Sequence, residues 1–206
     1  MECWVPLYAD FITGQKIYSI NDMLAYFRNR CINNLMVPSI ISNTCNAGFV
    51  YHYCGLEFKS PTINTVIHPA DYVKFCANLK HYLEIELEEV FYSLFNGRRV
   101  PVGRLDDIEI WFVHDETAEQ SVFDWNRRRK RVNYDNLLIM MEDSIEPIQG
   151  AVYMNIKKLP YRNLLLSKYI SGEGISHYEG NRDFHNRSYS IENWIDLVEL
   201  LNVNRD

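Results

Sequence analysis

The sequence predicts an α/β fold of three layers, a mostly parallel sheet flanked by helices, with an N-terminal helical extension. Three observations carry this. Short apolar runs of strand length alternate with segments whose apolar residues recur at helical spacing. The connections between successive runs are long enough to hold a helix, as a parallel crossover requires. A chain of 206 residues, 47% hydrophobic and 23% charged, can also bury a full core without help from a metal or disulfide.

The elements follow in order. Residues 1–33 read as an N-terminal extension, 34–170 as the core, and 171–206 as a polar loop and C-terminal helix, all within one domain. Met1 to Gly14 has no clear period. Ser19 to Asp22 offers an N-cap for a helix carrying Met23, Leu24, Tyr26, Phe27 and Cys31. Leu35 to Ser42 reads as the first strand, regular over 37–42, and Pro38 suits an edge position or an irregular start. Asn43 to Gly48 is a turn, and Phe49 to Cys54 a short helix. Residues 62–67 are rich in β-branched side chains and predict a second strand. Pro69 fits the first turn of the next helix, with Tyr72, Val73, Cys76, Leu79, Tyr82 and Leu83 on one face. Residues 84–95 read as its continuation toward Gly97. Residues 108–113 form the third predicted strand. Thr117-Ala-Glu-Gln120 matches a capping box and opens a helix with Ala118, Val122 and Trp125 inward. Residues 137–141 are apolar throughout, as in a strand covered on both faces. A helix from Ile148 to Lys158 and a strand over 163–167 follow. Gly172 to Arg187 is a polar loop, and Ser190 caps a last helix with Ile191, Trp194, Ile195, Val198 and Leu201 on one face.

Composition excludes several functions. A net charge of −6 and a pI near 5.5 supply no basic field for general binding of nucleic acid or anionic membranes. No purely apolar run is longer than that of 137–141, whereas a membrane span needs about 20 such residues. The N-terminus lacks the basic start and apolar stretch of a signal peptide. Cys3, Cys31, Cys45, Cys54 and Cys76 form an odd set without a C-x-x-C pair. This predicts reduced thiols and a cytoplasmic location, and argues against a zinc knuckle. His177 and His185 are spaced for no metal motif, so no metal ligands are assigned.

In parallel sheets, ligands bind beyond the carboxyl ends of the strands. The first strand there meets Ser42, Asn43, Cys45 and Gly48, small polar residues ahead of a helix that suit an anionic ligand. One glycine and no lysine exclude a P-loop and a dinucleotide fingerprint. The competing reading is a turn bonded only to itself. A thiol at a helix start has chemistry of its own, but Cys45 has no neighbouring histidine or basic residue in sequence and reads as an inert thiol. His114-Asp115 closes the third strand. His114 is the candidate general acid or base, and Asp115 reads as a capping residue. Glu142-Asp143 ends the fourth strand, and Asp143 is the second acid/base candidate, with a divalent cation as a conceivable cofactor. The run Arg127 to Arg131 competes between an anion site and a structural or interface role. Placed at the end of a returning helix, Trp125, Arg128 and Arg131 fit the latter.

Taken together, several segments resemble one bacterial family. They are Ser39-Ile-Ile-Ser-Asn-Thr-Cys-Asn-Ala-Gly48, Ser60-Pro-Thr62, Pro101-Val-Gly-Arg-Leu-Asp-Asp-Ile108, Phe112-Val-His114 and Trp125-Asn-Arg-Arg-Arg-Lys-Arg-Val-Asn133. The family is domain-of-unknown-function family nineteen-nineteen, whose members are often labelled exopolysaccharide or capsule biosynthesis proteins. The resemblance covers residues 34–170 and implies a single α/β domain, with no agreed reaction or catalytic residue. Asn46-Ala47 stands where members commonly carry a bulky residue and a second glycine. The expected function is therefore in surface-polysaccharide assembly, as a transferase acting on a nucleotide-sugar or another phosphorylated sugar. The rival expectation is a non-catalytic binding or assembly subunit, in which Trp125, Arg128 and Arg131 form a structural or partner-binding patch; under either reading a homo-oligomer is among the expected partners.

Overall fold

In the computed structural model, residues 8–9, 16–17, 37–54 and 56–177 are described. Two short strands, β1 (Tyr8–Ala9) and β2 (Lys16–Ile17), pair antiparallel. The predicted helix over 23–31, most of the polar loop and the helix after Ser190 lie outside the described residues.

The predicted parallel sheet is present. It is built from β3 (Ser39–Ser42), β7 (Leu137–Glu142), β8 (Arg162–Ser167) and β9 (Ser176–His177), hydrogen-bonded in that order and parallel throughout. Register pairs Ser39 with Leu137 and Leu138 with Arg162. All six side chains of β7 are buried, because both sheet faces are covered. Ile41, Ile139, Met141 and Leu165 join the main core with Tyr72, Phe75 and Tyr153. Ile40, Leu138, Met140 and Leu164 alternate with them and are buried on the opposite face.

Helix α1 (Asn46–Cys54) is anchored to the start of β3 by Tyr51. The Tyr51 hydroxyl donates to the Pro38 carbonyl at 2.7 Å and accepts from the Ile40 amide at 2.8 Å. Helix α2 (Pro69–Ala77) begins with its proline in the first turn, where a missing N–H costs nothing. It packs against the last helix, α5 (Gly150–Lys157). Between them lie α3 (Leu79–Glu84) and α4 (Ala118–Arg129). The capping box holds on its serine/threonine side: Thr117 Oγ1 accepts from the Gln120 amide at 3.2 Å.

Three expectations change at the level of elements. Residues 84–95 do not extend the helix. The chain leaves α3 at Glu84 and forms β4 (Glu89–Phe95), the first strand of an antiparallel meander with β5 (Arg98–Leu105) and β6 (Ile108–Trp111). The β4–β5 turn is Asn96-Gly97, both at positive φ (50° and 79°), the geometry of a two-residue hairpin. The third predicted strand is thus real but belongs to the meander and not to the parallel sheet. Residues 62–67 form no regular strand. They touch the meander through one antiparallel bridge, Val66 with Trp111, while Thr62 uses its hydroxyl to accept the Ser42 amide at 2.9 Å.

Candidate functional site

The carboxyl ends of β3 and β7 open on a cleft of about 540 Å³. Thr44, Cys45 and Asn46 enter from the turn after β3, and Glu142, Ser144 and Ile145 from the end of β7. The far wall comes from the meander. Phe95, Asn96 and Arg98 lie at the β4–β5 turn and Val113-His114 follow β6, while Asn64 and Val66 fill the space between. Cys45 and His114, 69 positions apart in sequence numbering, therefore line one cavity. The first turn of α1, with the partial positive charge of a helix start, opens on the same space.

The residues expected to hold a ligand in the first turn divide. Cys45 is half-buried and lines the cleft. Ser42 and Asn43 are instead consumed by the fold. The Ser42 hydroxyl accepts the Thr44 amide at 3.3 Å. The Asn43 amide brackets the backbone of Glu142, donating to its carbonyl at 2.8 Å and accepting from its N–H at 2.9 Å. This side-chain clasp continues the β3–β7 ladder past the last backbone pair. Gly48 sits inside α1, where an added Cβ would come within 3.3 Å of Ile63, so its role is close packing.

The acidic pair also divides. Asp143 is buried and turned toward β8, accepting from the Ser167 hydroxyl and from the Lys168 amide at 2.8 Å. Glu142 is the carboxyl that lines the cleft, although only 1% exposed. Its Oε2 accepts the Ser144 N–H at 2.7 Å, and its Oε1 meets the Ser144 hydroxyl at 2.6 Å. Burial pushes its pKa up, the Asp143 charge adds to that, and the Ser144 and Thr44 hydrogen bonds only partly oppose it. The pair makes separate sets of bonds and is not arranged as a joint cation site. Among the described residues no group of three or more His, Cys, Asp or Glu side chains is placed to hold a metal.

His114 is exposed and lines the cleft. Asp115 does not cap α4, a role taken by Thr117. It is buried, and its pKa is raised by burial against the opposing charges of Arg128 and His114. Next to the cleft residue Ile145, Glu146 Oε1 lies 2.6 Å from His68 Nδ1.

Arg128, Arg129 and Arg131, at and just past the end of α4, turn inward, whereas Arg127 is exposed. Arg128, 7% exposed, donates to the Ile63 carbonyl at 3.0 Å and to Asp124 Oδ2 at 3.0 Å. Arg129 donates to the Leu83 and Ile85 carbonyls, each at 2.7 Å. Arg131 reaches the Phe58 carbonyl at 3.4 Å. Trp125 is buried between Phe75 and Phe112. These three arginines thus tie the end of α4 to backbone carbonyls of Phe58, Ile63, Leu83 and Ile85, and none of them lines the cleft.

Arg98 and Asn64 are among the cleft residues that escape the sequence reading, whereas Glu142 was picked out there only as the neighbour of Asp143. The signal for Arg98 was the Asn-Gly turn beside it, which marks a hairpin and so a meander closing over the sheet edge. Asn64, at φ 64°, carries no local pattern that announces it.

The fold and cleft define an α/β protein with a small antiparallel meander closing over the carboxyl edge of its parallel sheet. The chain belongs to the family described as a domain of unknown function, DUF1919, whose model matches residues 15–196. It is 30% identical over 156 residues to an uncharacterized protein of Haemophilus influenzae, a match covering 74% of this chain and 73% of that protein. Among the described residues no helix is long and apolar enough to cross a membrane.

Proposed function

We propose that the cleft binds an anionic sugar ligand, a nucleotide-sugar or another phosphorylated sugar, and that the chain is a transferase of surface-polysaccharide assembly. The observation that supports this most directly is the union of Arg98 and the α1 start with His114 and Glu142 around one cavity. Arg98 and the helix start favour a phosphate group. His114 brings an imidazole that can give or take a proton, and burial holds Glu142 toward its neutral form, so the two offer complementary proton-transfer roles. Phe95, Val66, Val113 and Ile145 add apolar wall for a sugar or base face. In this reading Glu142 replaces Asp143 as the acid/base partner of His114, and Cys45 stays at the ligand with Asn46 beside it, while Ser42, Asn43 and Gly48 serve the fold. For the rival assembly reading, the burial of Trp125 and Arg128 favours the structural side of its patch, with Arg131 left partly exposed.

Thermal unfolding with nucleotide-sugars and sugar phosphates, with and without Mg²⁺ or Mn²⁺, tests the proposal. A ligand at 100 times its Kd stabilises by about 2.7 kcal/mol. Arg98→Ala, a change at an exposed residue, is expected to leave the unliganded protein unaltered and to abolish that shift. A flat response across the panel refutes the ligand class.

A further inference from the structure

The cleft combines a cationic side chain with a buried carboxyl, and the two make opposite demands on an anion. Arg98 and the helix start attract it. An ionised Glu142 would repel it at short range in a site of low dielectric. The hydrogen bonds of Glu142 indicate how the conflict is relieved. Oε2 faces a backbone N–H of Ser144, which can only donate, so this oxygen stays an acceptor. Oε1 faces the Ser144 hydroxyl, and the Thr44 hydroxyl also bonds this carboxyl; both hydroxyls can donate or accept. A proton on Oε1 is therefore accommodated without moving a heavy atom, and it can be presented to Ser144 Oγ or to a ligand oxygen. The charged and titratable groups around Glu142 are Asp143 beside it, Tyr153 of α5, Cys45 in the first turn, His114 and Arg98 across the cleft, and Glu146, next to Ile145, with its partner His68. Asp143 and Glu146 oppose a further negative charge, and Arg98 is the cation of the cleft lining.

We propose that the cleft binds its anionic ligand together with one proton, carried on Glu142 Oε1. The inference rests on the anion-site reading above and adds its coupling to pH. The proton comes from solvent, and no bond other than the O–H bond is made.

Inorganic sulfate, which does not titrate near neutrality, is the probe. Calorimetric titrations in buffers of different ionisation enthalpy count the protons taken up, for wild type, Glu142→Gln and His114→Gln. The expected wild-type uptake rises toward one proton as pH increases, and affinity falls about tenfold per pH unit there. Glu142→Gln, a neutral isostere with a donor, is expected to remove this component and flatten the pH dependence. His114→Gln is expected to retain it. Equal uptake in wild type and Glu142→Gln, or loss of the uptake only in His114→Gln, overturns the proposal and leaves the anion site intact. No sulfate binding in any form overturns both. Two further readouts cover a Glu142→Gln protein that does not fold. The unliganded wild type should show an infrared band of a protonated carboxyl. Ser144→Ala, which removes a bond favouring the ionised form, should move that band's loss and the uptake midpoint to higher pH. An unmoved midpoint overturns the proposal.

Discussion

Arg128→Ala tests the inward reading of the arginine run most directly. In the native chain the guanidinium bridges the Ile63 carbonyl and Asp124 from a side chain that is 9% exposed. Truncation strands the Ile63 carbonyl, whose bond to a charged donor is worth about 1.5–3 kcal/mol. It also exposes a void where the aliphatic stem packs, at about 0.8 kcal/mol per methylene. Asp124 keeps Arg127 at 2.6 Å, so its loss is partial, while Asp115 loses a compensating charge. The expected cost is about 3–5 kcal/mol, the range for breaking a buried pair by removing one partner. Arg127→Ala is the control. Its side chain is 45% exposed and pairs with the same carboxylate, so its cost should be about 0–1 kcal/mol. Urea unfolding separates them: with a slope of about 2 kcal/mol per molar, Arg128→Ala moves the midpoint down by roughly 2 M. A cost below about 1 kcal/mol, equal to that of Arg127→Ala, would refute the clamp and return the run to the surface.

Other expectations follow from the same contacts. Because burial raises the Glu142 pKa, the folded state holds its proton more tightly than the unfolded one, and stability falls as pH rises above the ordinary value of 4.5. Glu142→Gln should match wild type in acid and gain on it with increasing pH, levelling off past the folded-state pKa; a constant difference across the pH range would contradict this. Tyr51→Phe leaves the Pro38 carbonyl and the Ile40 amide without their partner and should cost about 2–4 kcal/mol in urea melts. Of Cys45 and Cys76, the native protein should be alkylated at Cys45 alone at a rate ordinary for a half-buried thiol. Cys76 is buried with a raised pKa and should react only on unfolding, as peptide mapping can check.

Much of the parallel layer was legible because its signals are local. The all-apolar run 137–141 marks a doubly covered strand, and the Thr117–Gln120 spacing marks a helix start whatever surrounds it. The meander was partly legible: Asn96-Gly97 is a hairpin signal, but the apolar residues of 84–95 also continue the helical stripe of the preceding segment. Period alone does not separate the two. What the sequence by itself determined was the α/β class, the strand ends where small polar residues collect, and the position of His114 in a turn after a strand. Only the tertiary structure decided which sheet residues 108–111 join, since that depends on the neighbour that satisfies their backbone bonds. The same holds for Ser42 and Asn43, whose side chains serve the backbone of segments distant in sequence, and for the direction of the arginines. It also placed Glu142, and not Asp143, in the cleft lining. Successive side chains at a strand end point to opposite sides, and the positions of β8 and the meander, set by long-range packing, make one side a hydrogen-bonded seam and the other a cleft.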